Sequence, residues 1–146
     1  MVFETGPFLN LAVFCETVIQ DTSGVLSLIR VVDRMNVAAQ GPNAPEEMPP
    51  TQLTWTLVLN FRAGSARGSY PVKIQPELPS GLNKEPIILS AHFEGGNRGV
   101  NLLAKVNMTL DMPGVYWFKI YLDDVFVTQV PVEIIYSRVC GPAAQT

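Results

Sequence analysis

A single histidine, two cysteines and no run of basic residues leave this chain of 146 residues with little of what metal proteins, acyl-transfer enzymes and nucleic-acid binders require. Zinc sites, Ser-His pairs and most general-base roles use histidine in company. His92, alone and between Ala91 and Phe93 in an alternating stretch, therefore reads as structural. Cys15 and Cys140 stand at opposite ends of the chain, a spacing that makes neither a metal-ligand set nor a disulfide framework. Both are expected to be reduced, Cys15 as a small hydrophobe in an apolar strand; a bridge between them requires the terminal strands to be neighbours. The ten Lys and Arg residues are scattered singly and the formal charge is −3. That excludes the phosphate neutralisation on which nucleic-acid binding depends and the polybasic patch that holds a protein on an anionic membrane.

Long hydrophobic runs are also missing. The longest, Leu11 to Ile19, is broken by Glu16 and falls well short of the ~20 residues a spanning helix needs. The first charge is Glu4, where a secretory leader carries Lys or Arg. A cytoplasmic protein is expected. Convergent carboxylates are absent too. Asp111 and Asp123-Asp124 flank one strand, and about eight residues at ~3.3 Å each hold them roughly 25 Å apart; Asp21 and Asp33 lie at opposite ends of another. Calcium coordination and a glycosidase pair, whose carboxyl groups sit within ~5–10 Å, are both disfavoured. No cofactor, metal or catalytic residue is expected, and the chain reads as a non-enzyme.

What the chain does have is apolar residues, 47% of the total against 16% charged, enough for one core over 1–146. Their spacing is that of strands separated by Gly, Pro, Asn and Asp. Leu9 to Ile19 and Val25 to Asp33 predict a hairpin joined by Gln20-Asp21-Thr22-Ser23-Gly24. Val37 to Pro50, with four prolines and a glycine, predicts a long irregular loop, either functional or mobile. Leu53 to Phe61 alternates cleanly, and a small-residue turn over Ala63 to Gly68 leads to Tyr70, Val72 and Ile74. Ile87, Leu89, Ala91 and Phe93 repeat the pattern before the loop Gly95-Gly96-Asn97-Arg98-Gly99. Val100, Leu102, Ala104, Val106, Met108 and Leu110 form the longest period-two stretch. The expected fold is all-β, a two-sheet antiparallel sandwich of about eight strands, immunoglobulin-like or C2-like in outline.

The last two strands allow a register to be argued. A three-residue loop with a bulge after Asp123-Asp124 pairs Leu122 with Phe126, Phe118 with Val130, Tyr116 with Val132 and Gly114 with Ile134, putting one face wholly in the core. Trp117, Lys119, Tyr121, Val127, Gln129 and Pro131 then point outward. This face is either a partner surface or sugar-stacking platform, or it is covered by the Val37 to Pro50 loop or a neighbouring strand. Tyr116 is either a core tyrosine or a tyrosine corner bonding back to upstream backbone. Asn97 and Arg98 sit in the one loop with the look of an anion cradle, since its glycines expose amides and Arg98 adds donors; no helix follows it, and a hairpin loop with an exposed arginine is the plainer reading.

Phe14-Cys15-Glu16, Ser23-Gly24-Val25-Leu26-Ser27 with Asp33-Arg34, His92 to Asn101, and Gly114-Val115-Tyr116-Trp117-Phe118 with Leu122-Asp123-Asp124 together resemble a family of small bacterial proteins known only as a domain of unknown function. The resemblance spans nearly the whole chain and implies a compact cytosolic β-sandwich. It transfers no activity, cofactor or site residue. The expected role is a non-enzymatic binding or assembly module. It would act on a protein partner or a second copy through Trp117, Lys119, Tyr121, Val127, Pro131, Asn97 and Arg98. A carbohydrate or small-ligand module with Trp117 and Tyr121 as its platform is the alternative.

Overall fold

The computed structural model describes residues 5–139, so Cys140, and with it the question of a bridge to Cys15, lies outside the described residues. The all-β expectation holds. Seven strands follow one another: β1 (Phe8–Gln20), β2 (Leu26–Val32), β3 (Arg34–Gln40), β4 (Thr51–Glu77), β5 (Ile87–Leu110), β6 (Gly114–Leu122) and β7 (Val125–Val139). They form one hydrogen-bonded sheet in the order β2-β1-β4-β6-β7-β3, with β5 on β4.

This corrects the expectation of eight strands in two separate sheets. The segments around Leu53–Phe61 and Tyr70–Ile74 are one strand of 27 residues, and Ile87–Phe93 runs through to Leu110 in another of 24. Neither Ala63–Gly68 nor Gly95–Gly99 is a connecting loop. The two segments face each other and mark a fold line, where pairing slips between Arg62, Gly64 and Arg67. Small residues let the ribbon bend there. Ala63 and Ala66 are buried, and Gly64 has φ +59° where a Cβ would collide with the Thr5 carbonyl oxygen. The N-terminal segment pins this bend from outside: the Ser65 amide donates to the Thr5 carbonyl at 2.9 Å and the two hydroxyls lie 2.7 Å apart.

Folding along this line brings two halves of the sheet face to face. β1 borders the first part of β4 and β6 borders the second, yet Phe14 of β1 meets Phe118 of β6 edge-on with ring centroids 4.8 Å apart. Both rings are fully buried in a core with Leu53, Leu57, Leu59, Phe61, Ile74, Phe93, Ile120 and Leu122. The period-two readings of β4, β5 and β6 name the same inward residues, because a half-buried strand alternates whatever its partner.

The second correction is β3. Residues 37–40, expected as loop, extend a short strand that pairs in parallel with β7, from Arg34 opposite Glu133 to Gln40 opposite Val139. The irregular loop is therefore confined to Gly41–Pro50. It closes one end of the core: Met48 is buried in the cluster, and the Tyr136 hydroxyl donates to the Pro45 carbonyl at 2.6 Å. Tyr116, buried among the inner residues, donates its phenol to the Met112 carbonyl at 2.7 Å and so forms the corner considered from sequence. Burial pushes that phenol above its ordinary value, with Asp111 adding to the effect and the Met112 hydrogen bond opposing it.

Candidate functional site

The β6–β7 hairpin sets the outward face, and its turn decides which side chains reach it. Asp123 and Asp124 both take left-handed backbone angles, φ 49° and 65°, the two-residue geometry that matches the twist of antiparallel strands. The Asp123 amide donates to the Pro71 carbonyl of β4 at 2.9 Å. Leu122 consequently faces Val125, not Phe126, and the extra residue is absorbed just beyond, between the pairs Tyr121↔Phe126 and Ile120↔Thr128. Past this bulge the expected register holds: Phe118 faces Val130, Tyr116 faces Val132 and Gly114 faces Ile134. Two placements are reversed. Phe126 swings outward, 51% exposed. Val127, left unpaired by the bulge, packs against the core and leaves the candidate surface.

Trp117, Lys119, Tyr121 and Pro131 do share one face. Trp117 lies opposite Pro131 on β7 and Glu77 on β4, Lys119 opposite Gln129 and Gln75, and Tyr121 opposite Phe126 and Lys73. Lys119 is held by Glu77, Nζ to Oε2 3.5 Å. Tyr121 is engaged on two sides, by the Lys73 ammonium 4.7 Å from its ring centroid and by Phe126 edge-on at 5.7 Å. Its ring is thus already engaged by two neighbours.

Trp117 is different. With Val115 and Pro131 it floors an open cleft of about 460 Å³, walled by Asp33, Arg34 and Glu133. The wall is assembled where β7 meets the β2–β3 junction: the Glu133 amide donates to the Asp33 carbonyl at 3.1 Å. Arg34 Nε stands 3.7 Å from the Asp33 carboxylate, and both side chains are largely exposed. The Gly41–Pro50 loop is engaged with the core end through Met48 and Tyr136, so it does not take the covering role considered for it. An indole beside proline and valine, rimmed by one cation and two carboxylates, is equipped to hold a partly apolar ligand by contact and to orient it by hydrogen bonds. The only signal in the sequence was the adjacent pair Asp33-Arg34, whose position against Trp117 depends on a pairing with the far end of the chain.

Asn97 and Arg98 fall elsewhere, at the fold line. Ten residues of β4 separate Arg67, opposite Glu94, from Glu77, opposite Trp117, roughly 30 Å at ~3.3 Å per residue. The structure thus splits the expected surface in two. At the fold line Arg98 Nη1 is paired with Glu94 Oε1 at 2.8 Å. Arg67, absent from the sequence expectations, lays its guanidinium within 3.0 Å of where a Gly95 Cβ would stand and donates to the Glu94 carbonyl at 3.1 Å. His92 is exposed, on the face opposite Ile87 and Leu89, and its Nδ1 lies 3.1 Å from Ser69 Oγ. That is the reach of an acyl-transfer pair. Among the described residues no carboxylate lies in ion-pair reach of its ring, where a Ser-His-Asp triad has one. Among the described residues no three His, Cys, Asp or Glu side chains converge as metal ligands.

A family model described as a family of unknown function, DUF6941, matches residues 10–135. No curated protein matches the chain. Solved structures that resemble it include an immunoglobulin-like protein from Pseudomonas aeruginosa, at 10% identity and a TM-score of 0.40, over 88% of this chain and 96% of the other.

Proposed function

We propose that this chain, which belongs to the family of unknown function DUF6941, is a non-catalytic binding or assembly module whose partner docks on the outward face of β6 and β7. The folded sheet then buries its two inner faces in one core and offers an outer face to the partner. One observation carries the reading: the half-buried Trp117, paired across the strands with Pro131, floors a cleft beside Asp33, Arg34 and Glu133. Aromatic side chains backed by rigid strands, with a polar rim, are the usual anchors of protein interfaces.

A protein partner or a second copy is the first candidate. Light scattering coupled to size exclusion, on the wild type and on Trp117→Ser, is expected to show a larger species for the wild type than for the substituted chain. A second reading, a saccharide or other small ligand, is favoured by the size of the cleft and its mixed lining. It predicts a change in tryptophan emission on titration with sugars, read against the buried Trp55, and loss of that change in Trp117→Ser. No effect of the substitution on assembly, together with silence in the titration, sinks this face as the working surface.

A further inference from the structure

β5 pairs with β4 on one side, and among the described residues its other side pairs with nothing. A row of free amides and carbonyls is a template for another strand, and folded proteins ordinarily blunt such edges with bulges, prolines or charges. The other edge of the first half is blunted in this way. In β2, Arg30 adopts φ 58°, the partner of Glu16 drops out of the ladder, and the two side chains form an ion pair of 3.0 Å across the gap. β5 from Val100 to Leu110 carries no proline, no glycine, no left-handed residue and a single charge, Lys105. Its inward side chains Val100, Leu102 and Met108 are only half-buried although they pack on the core.

We propose that this edge takes a second copy of the same strand, antiparallel about a two-fold axis through Ala104, making one continuous sheet across two chains. The register follows from parity and charge. Inward residues must meet inward residues, so the two-fold axis passes through a residue rather than between two. Centring on Lys105 gives the longest overlap but sets that ammonium against its own copy, which is unfavourable. Centring on Ala104 loses one pair at each end and removes the clash. Lys105 then faces Leu103, Val100 faces Met108, Leu102 faces Val106, and Asn101 faces Asn107. The last pairing continues an existing run of amides, since Asn10, Asn60 and Asn101 are already bonded across β1, β4 and β5, and Gln52 bonds Asn107.

Sedimentation velocity over a concentration series tests this, using outward positions that leave the core untouched. The wild type is expected to be a dimer, and Leu103→Lys, which sets lysine against lysine twice, to weaken it about tenfold or more. Leu103→Glu is expected to keep the dimer, and Leu103→Lys with Lys105→Glu to recover it, because each restores opposite charges across the axis. Trp117→Ser is expected to leave this dimer intact, which separates it from association through the β6–β7 face. A monomeric wild type at ~100 μM, or a dimer indifferent to the sign of residue 103, overturns the proposal.

Discussion

The two halves of the folded sheet have equally apolar inner faces, but their outer faces differ. On the first half the outward positions of β4 and β5 hold Thr54, Thr56, Asn60, Asn101, Lys105 and Asn107 around Leu103 and a buried Val58, while β1 and β2 add Leu11, Val13, Cys15, Ile29 and Val31. Several of these amides bond one another across the strands. On the second half the outward positions of β6 and β7 hold the aromatic residues Trp117, Tyr121 and Phe126 with Val115 and Pro131, beside Lys119, Gln129 and Glu133. Burying one face of each half is what folding requires. Apolar side chains on the outer faces go beyond that requirement, and the aromatic cluster around Trp117 is the one to which the proposed docking role is assigned.

The comparison breaks most severely at the joint between the halves. Phe14→Ala removes the ring that meets Phe118, and chemical denaturation is expected to show a loss of about 3–5 kcal/mol. Gly64→Ala attacks the fold line instead. Its Cβ meets the Thr5 carbonyl in a left-handed conformation, and a loss of roughly 2–3 kcal/mol is expected. Trp117→Ser, on the outer face of the same strand as Phe118, is expected to change stability by less than about 1 kcal/mol; a larger loss would mean the outward face belongs to the core after all.

Sharper tests involve the turns. Asp124→Gly relieves a left-handed residue in the second position of a two-residue hairpin, partly offset by the looser unfolded chain. A gain of about 0.5 kcal/mol in thermal or denaturant unfolding is expected. Asp21 caps the β1–β2 turn, accepting from the Ser23 hydroxyl at 2.6 Å and from the Ser23 and Val25 amides at 2.8 and 3.0 Å. These bonds, the Ser23 hydroxyl first, hold its carboxyl below the ordinary value. A carboxyl lowered by folding adds stability above its unfolded value, near ~3.9, and that contribution is lost as pH falls through the folded value. Asp21→Asn is expected to flatten the acid limb of the stability profile slightly.

How much of this was legible depended on how local the cause was. Alternation in Leu53–Phe61 and Val100–Leu110 gives the inward residues because period two is a property of the strand itself. The hairpin of β1 and β2 was readable from Asp21 to Gly24 for the same reason. Gly95–Gly99 misled because glycines that permit a hairpin also permit a long ribbon to bend, and only the opposing Ala63–Arg67 distinguishes them. β3 was hidden because Val37, Ala38 and Ala39 are unremarkable until β7 lies beside them. Val127 was misplaced by a bulge two pairs from the turn. Trp117 and Pro131 were identified as outward neighbours, but the wall that makes a cleft of them was not.

The parallel pairing of β3 with β7 has one more consequence. It joins segments about 100 positions apart, a closure that chain entropy makes slow and late. The wall beside Trp117 is thus assembled only when the last strand has been synthesised and has docked. A nascent or C-terminally truncated chain can build its first hairpin and much of its long ribbon, yet it has no complete cleft to offer. A partner that docks there, as proposed, would meet the complete cleft only on finished molecules.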